Sequence, residues 1–266
     1  MHIAILGPLD VRHDQHSVVP SAAKSRKVLA TLVVQPGQVV TVPTLIDELW
    51  GDDPPRTAAT TLQTYIRHLR VNIAGAGYDA REVIGTRASG YVFADPDPHL
   101  DAREFERLAH AGQDALRAGD EATAAVQLDR ALALWRGPAL VDVPAGRVLE
   151  VEILRLEELR LTAQEACFTA RLRLGQHREV LGELAASTAR HPFHESLHAL
   201  LMLALHRCGR QSEALAAFRR LRAALTTELG LEPCQPLQRL HRDILGGQMH
   251  ELGAEGLLAT VRTATP

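Results

Sequence analysis

The run PPRTAATTLQTYIRHLRVNIAGAGY, Pro54 to Tyr78, decides the reading of this chain. Leu62, Ile66, Leu69 and Ile73 fall at i, i+4, i+7 and i+11. That is the spacing of an apolar stripe along one side of an α-helix, and it predicts a helix from about Thr57 to Ile73. Thr60, Thr64 and Arg67 lie on the opposite face, with Arg56, Gln63, His68 and Arg70 flanking. Hydroxyl, amide and guanidinium groups are the side chains that reach base edges and phosphates in a major groove. The run contains no aspartate or glutamate, although the chain carries 32 of them in 266 residues. A carboxylate there would repel phosphate. Gln15 to Ile46 is also free of carboxylates and holds Lys24, Arg26 and Lys27.

Working outward, residues 1–20 alternate and break often, which predicts short strands joined by turns. Ser21 is expected to cap a helix reaching about Val34, stopped by Pro36-Gly37. Thr41 is expected to cap a second helix, with Leu45, Ile46 and Leu49 inward and Trp50 closing it. Gly51-Asp52-Asp53-Pro54-Pro55 reads as an exposed loop. Beyond the third helix, Val83-Ile84-Gly85 and Gly90-Tyr91-Val92-Phe93 predict two strands joined by Thr86, Arg87, Ala88 and Ser89. Three helices followed by a hairpin is the layout of a winged helix-turn-helix, with Arg87 where a wing tip would enter a minor groove.

Asp95-Pro96-Asp97-Pro98 has a linker composition, and from Asp101 the period is 3.6 almost without relief. The expected helices are 101–118, 120–136, 147–174, 176–190, 194–208, 210–229 and 234–246. Gly175 and Gly209 stand 34 residues apart in similar contexts, the period of a tetratricopeptide helix pair, and Gly119-Asp120 begins a comparable unit. Such stacked hairpins commonly bind a partner on their concave face. The fold class read from the residues is an α+β winged helix-turn-helix followed by an all-α tetratricopeptide-like domain. The expected boundaries are 1–95, a linker at 96–98, 99–247 and a frayed tail at 248–266.

Composition narrows the chemistry. Aromatics are 4% against 46% hydrophobic residues overall, which favours packed helices over a β-sandwich. The formal net charge of −3 neither supports nor excludes nucleic acid, so charge distribution must decide. Cys167, Cys208 and Cys234 are odd in number and widely spaced, giving neither a disulfide framework nor a metal pair. Their apolar neighbours suit core thiols. No apolar run approaches a membrane span and no signal segment precedes the domain, so a cytoplasmic protein is expected. Neither lysine follows a glycine, which excludes a phosphate-binding P-loop, and no G-x-S-x-G elbow occurs.

One motif offers an enzymatic alternative. His194-Glu195-Ser196-Leu197-His198 fits H-E-x-x-H on an expected helix, where two imidazoles one turn apart ligate zinc and the glutamate serves as general base. Against it, no G-x-x-H extension follows, and Leu197, Leu200, Leu201 and Leu205 commit the helix to packing. A helical-repeat adaptor without DNA binding is the third reading.

The residues also carry a resemblance. Ala23-Lys24-Ser25-Arg26-Lys27-Val28-Leu29-Ala30, Leu45-Ile46-Asp47-Glu48-Leu49-Trp50-Gly51, Pro54-Pro55, Thr61-Leu62-Gln63-Thr64-Tyr65-Ile66, Leu69-Arg70 and Gly90-Tyr91 resemble the DNA-binding domain of the Streptomyces antibiotic regulatory protein family, which is similar to the OmpR-type effector domain. Leu134-Trp135-Arg136-Gly137, Leu197 to Leu205, Gly209 to Leu215 and Glu228 to Pro233 resemble that family's bacterial transcriptional activation domain. The resemblance spans roughly residues 3–247. It implies a non-enzymatic activator of secondary-metabolite genes that binds direct repeats in double-stranded DNA near promoters and recruits RNA polymerase with its sigma factor. It implies a homodimer on DNA, no cofactor and no metal. Larger relatives append an ATPase domain, and the chain matches the small form. By position, Thr60, Thr64, Arg67, His68 and Arg70 fall on the recognition helix and Arg87 on the wing, and Lys24, Lys27, Arg56, Thr61 and Gln63 complete the expected DNA contacts. Gly51, Asp52, Asp53, Pro54 and Pro55 match the loop that faces polymerase.

Overall fold

The computed structural model describes residues 1–13, 16–94 and 99–247, so the expected linker and tail lie outside the described residues. Two compact units are distinguished. The first comprises Met1–His110 with Arg130–Thr162, and the second comprises Ala111–Asp129 with the chain from Ala163 onward.

The first unit contains the winged helix. Its helices are α1 (Ala23–Val33), α2 (Val42–Trp50), α3 (Ala58–Gly75) and the single turn α4 (Ala80–Val83). Leu29, Leu32, Leu45, Leu62, Ile66, Leu69 and Ile73 are fully buried or nearly so, so the stripe read from α3 is the one that packs. Thr41 caps α2 as expected, its hydroxyl accepting from the Thr44 N–H at 3.2 Å. Ser21 does not cap α1. That helix begins later, with Ala22 at the N-cap position and no side-chain cap. The wing is a three-stranded sheet of β4 (Val39–Thr41), β5 (Ile84–Arg87) and β6 (Gly90–Phe93) in the order β4-β6-β5. Strand β5 runs further than expected, so Thr86 and Arg87 are paired residues and only Ala88-Ser89 turn the hairpin. Strand β4 was not anticipated, because three residues hold too little alternation to register. Its pairing sets a hard limit at Gly90, where a Cβ would stand 2.0 Å from the Val40 carbonyl oxygen.

A second small sheet pairs β1 (His2–Ala4) antiparallel to β2 (Asp10–His13) and parallel to β7 (His99–Leu100), with β3 (His16–Ser17) on the far side of β2. Strand β7 leads into α5 (Asp101–Arg117). The Asp101 carboxylate accepts from the Ile5 N–H at 2.9 Å and the Leu6 N–H at 3.1 Å. Burial pushes this carboxyl above its usual range, against those hydrogen bonds and Arg136.

The later part of the first unit holds the end of α6 (Glu121–Leu132) and the start of α7 (Arg147–Arg173). Glu48 is 2% exposed. It reaches out of α2 and accepts from the N–H groups of Gly146 and Val148, each at 2.7 Å. A carboxylate so placed satisfies the orphan donors and the positive end of the dipole at the head of α7. Asp142 accepts from the Leu9 N–H at 2.7 Å and pairs with Arg26 at 2.9 Å. Residues 130–162 are therefore fastened to the winged helix by buried or half-buried carboxylates.

The second unit is helical. It includes α8 (Leu181–Arg190), α9 (Glu195–Arg207), α10 (Gln211–Ala224), which widens into a π-helical turn at Leu225–Leu229, and α11 (Gln235–Gly246). Helix α8 starts at Leu181 rather than at 176, because residues 177–180 form turns. The repeat read from the glycines has a geometric basis. Gly119, Gly175 and Gly209 have φ of 79°, 81° and 76°. In each case the next N–H returns to the carbonyl five residues earlier: Asp120 to Ala115, Gln176 to Arg171, and Arg210 to Leu205. These are Schellman closures, which need a left-handed residue and so select glycine.

Gly90→Ala should lower stability by about 2–3 kcal/mol in denaturant titration, since the clash is with backbone. A fragment ending at residue 98 lacks the partners of Ile5, Leu6, Glu48 and Arg26, and should unfold at clearly lower denaturant than the full chain. His198 is 9% exposed, and burial lowers its pKa from the usual 6.5 to about 4. A depressed folded pKa means the stability is intact above pH 6.5 and is lost as pH falls toward 4. The loss reaches at most about 3 kcal/mol. Thermal melts between pH 7 and 4.5 should show a steeper decline for the wild-type chain than for His198→Leu.

Candidate nucleic-acid interface

Helix α3 presents two stripes of identical spacing. Leu62, Ile66, Leu69 and Ile73 are buried, while Thr60, Thr64, Arg67 and Val71 face solvent. Gln63, His68 and Arg56 are also exposed, and Thr61 is half-buried at the margin. The helix extends about 27 Å at ~1.5 Å per residue, and one turn or two would enter a groove about 12 Å wide. Arg56 and Arg67 have no ion-pair partner among the described residues. Their charge is uncommitted. The Thr64 hydroxyl donates to the Thr60 carbonyl at 3.1 Å, leaving its lone pairs outward.

Two of the expected DNA contacts are placed differently. Lys27 is 8% exposed, and its ammonium donates to the Glu48 carbonyl at 2.9 Å. It joins α1 to α2 and does not share the surface of α3. Lys27 sits inside the amphipathic period of α1, which sequence reading took for a basic run. Arg70 is half-buried, and its guanidinium is spent on the wing. It donates to the Ile84 carbonyl at 3.1 and 2.6 Å and to the Thr86 hydroxyl at 2.8 Å. Arg70 therefore positions β5 against α3. Arg87 stands at the hairpin end of β5, exposed, with one nitrogen on the Thr86 carbonyl at 3.1 Å. Its guanidinium is folded back over Gly85.

Lys24 is exposed, with its ammonium over the Trp50 ring at 4.9 Å, and Trp50 stacks on Tyr65 at 6.5 Å. These neighbouring side chains link α1, α2 and α3 beside the loop Gly51–Pro55. In that loop Asp52 and Asp53 are exposed. Arg147 of α7 lies 3.3 Å from Asp52 and 3.6 Å from Asp47. Sequence reading did not anticipate the contacts of Glu48 and Trp50 or the exposure of Val71. Val71 alone left a signal, at i+4 from Arg67 on the outward face.

The zinc-like motif is used otherwise. Glu195 accepts from the Cys234 N–H at 2.7 Å and caps α11, and His194 lies 3.0 Å from Glu165. His198 is buried in α9. Among the described residues no group of three His, Cys, Asp or Glu side chains is placed to hold a metal. Cys167 is buried and donates to Asp129 at 3.2 Å, and burial pushes its thiol pKa up. Cys234 is pushed up to about 11, chiefly by burial. Neither is a reactive thiol. Among the described residues no helix is long and apolar enough to cross a membrane.

Comparison with known proteins adds to this geometry. Residues 16–93 match the family of C-terminal domains of transcriptional regulatory proteins, and residues 100–245 match the bacterial transcriptional activator domain. The chain is similar to the regulatory protein DnrI of Streptomyces peucetius, with 49% identity over 92% of each. It is 38% identical to the regulatory protein AfsR of Streptomyces coelicolor, over 100% of this chain and 26% of that longer protein. A solved structure of Mycobacterium tuberculosis EmbR with a low-affinity phosphopeptide superposes with a TM-score of 0.88 at 34% identity, covering 98% of this chain and 69% of that one.

In gel-shift titrations on its target DNA, Arg67→Ala should cost about 1–3 kcal/mol of specific binding, and Arg87→Ala should weaken binding alike on all sequences. Lys27→Ala should instead lower stability by removing the buried hydrogen bond, leaving the salt dependence of DNA binding unchanged.

Proposed function

The chain belongs to the Streptomyces antibiotic regulatory protein family of transcriptional regulators, and from that membership we propose that it activates a secondary-metabolite gene cluster by binding direct repeats beside a promoter and recruiting RNA polymerase. It is a DNA-binding regulator and not an enzyme. The observation that carries the finer reading is the outward face of α3, where Thr60, Gln63, Thr64, Arg67 and His68 stand exposed without a carboxylate between Pro54 and Tyr78. In this reading Arg67 and the polar side chains beside it meet base edges, and Val71 meets a thymine methyl. Lys24, Arg56 and Arg87 hold phosphates, and Arg70 fixes the wing that carries Arg87. Two copies lie in tandem, one on each repeat, in the cytoplasm with the nucleoid.

The loop Gly51–Pro55 supports contact with polymerase or its sigma factor, since Asp52 and Asp53 project beside the groove-facing helix and add no phosphate affinity of their own. In this reading DNA is read by residues 1–95 and activation lies in 99–247.

Footprinting on DNA upstream of neighbouring genes should protect two direct repeats. Removing one phosphate-binding side chain should reduce the slope of log K against log salt by about 0.9. Asp52→Ala with Asp53→Ala should leave that footprint intact and abolish stimulated transcript formation in a purified polymerase assay. Unchanged transcription would remove the loop from the mechanism, and a missing footprint would remove the repeat model.

A further inference from the structure

Helix α7 carries an outward stripe of its own. Arg147, Val151, Leu154 and Glu158 recur at i, i+4, i+7 and i+11, the pattern of a packing seam, yet this seam faces solvent. Val151 is 69% exposed and Leu154 63%. The buried side of this stretch, with Leu149 and Leu156, is already packed. The helix is thus apolar on two sides and covered on one. Glu150 and Arg155 flank the outer seam, both exposed.

The seam is complementary to itself. When a second α7 is laid antiparallel across it about a twofold axis passing between Glu152 and Ile153, Val151 meets Leu154 of the other copy and Arg147 meets Glu158. Every residue of the stripe finds a partner of matching character without any shift of register. This is the signature of an isologous contact, in which residue i meets j and j meets i. Glu158 has no ion-pair partner among the described residues, so its charge is open to such a contact. Arg147 carries partners of its own, Asp47 and Asp52, and would share its charge between them and Glu158 of the other copy.

We propose that the outer face of α7 between Arg147 and Glu158 docks a second copy of this chain, antiparallel, through Val151 and Leu154 with charged pairs at either end. The apolar centre and ionic rim match the anatomy of a protein interface. The seam is about 16 Å long at ~1.5 Å per residue, which places the contact among small, reversible interfaces. A twofold relates the two wings as on an inverted repeat. The contact is therefore distinct from the tandem arrangement on direct repeats, and it holds whether or not that arrangement does.

Sedimentation velocity on the full chain without DNA, from about 5 to about 200 µM, reads a dissociation constant on the order of 10–100 µM. Leu154→Glu should stay monomeric throughout. Glu158→Arg, a surface change whose fold is checked by circular dichroism, should weaken self-association about tenfold or more. Arg147→Glu alone should do the same. An equimolar mixture of Glu158→Arg and Arg147→Glu should associate again as a heterodimer, because both cross-pairs are restored with sign reversed at one end. Glu158→Arg should keep wild-type affinity for a single DNA half-site. A wild-type chain that remains monomeric at the highest concentration overturns the proposal. So does unchanged association of Glu158→Arg, or failure of the mixture to associate.

Discussion

The carboxylate of Glu48 stands at the centre of the first unit. It is almost wholly buried, leaves α2 and ends against the backbone donors that open α7. A buried carboxylate is costly unless its oxygens are filled, and here the unpaired N–H groups of a helix start fill them. The ammonium of Lys27 takes the carbonyl of the same residue, so α1, α2 and the head of α7 meet at one residue. Gly146 leaves room for this approach. A Cβ there would stand 2.5 Å from the Glu48 carbonyl oxygen. Asp101 and Asp142 repeat the device at the first sheet, each closing backbone donors that lie far away in sequence.

That arrangement explains why the basic residues of the N-terminal region divide into two groups. Lys27, Arg26 and Arg70 are spent holding elements together. Lys24, Arg56, Arg67 and Arg87 keep exposed charge. A polyanion responds only to the second group, since a cation already satisfied in a low-dielectric setting has no counterion to exchange. The net charge of the chain is slightly negative, and the attractive field is created by where carboxylates are withheld.

The H-E-x-x-H motif shows how a spacing can be right and the chemistry different. Two histidines one turn apart share a helix face whatever surrounds them. Glu195 turned instead to the N–H of Cys234, which needed an acceptor at the head of α11, and His198 went into the core of the helical hairpins. The same local spacing on α7 has the opposite fate, with a regular seam left facing solvent.

The α3 stripe, the Thr41 cap, the wing hairpin and the Schellman glycines at 175 and 209 were legible in the sequence, because each depends on interactions within a few residues and on a period. So was the outward polar face of α3, which is the buried stripe shifted by half a turn. The strand β4, the parallel pairing of β7 with β1, the burial of Lys27 and the spending of Arg70 on the wing were decided by tertiary structure. So was the attachment of residues 130–162 to the winged helix. Those features rest on pairings across separations of up to 133 residues, as between Leu9 and Asp142. A side chain's period states which face it occupies, and only the packed chain states what stands opposite.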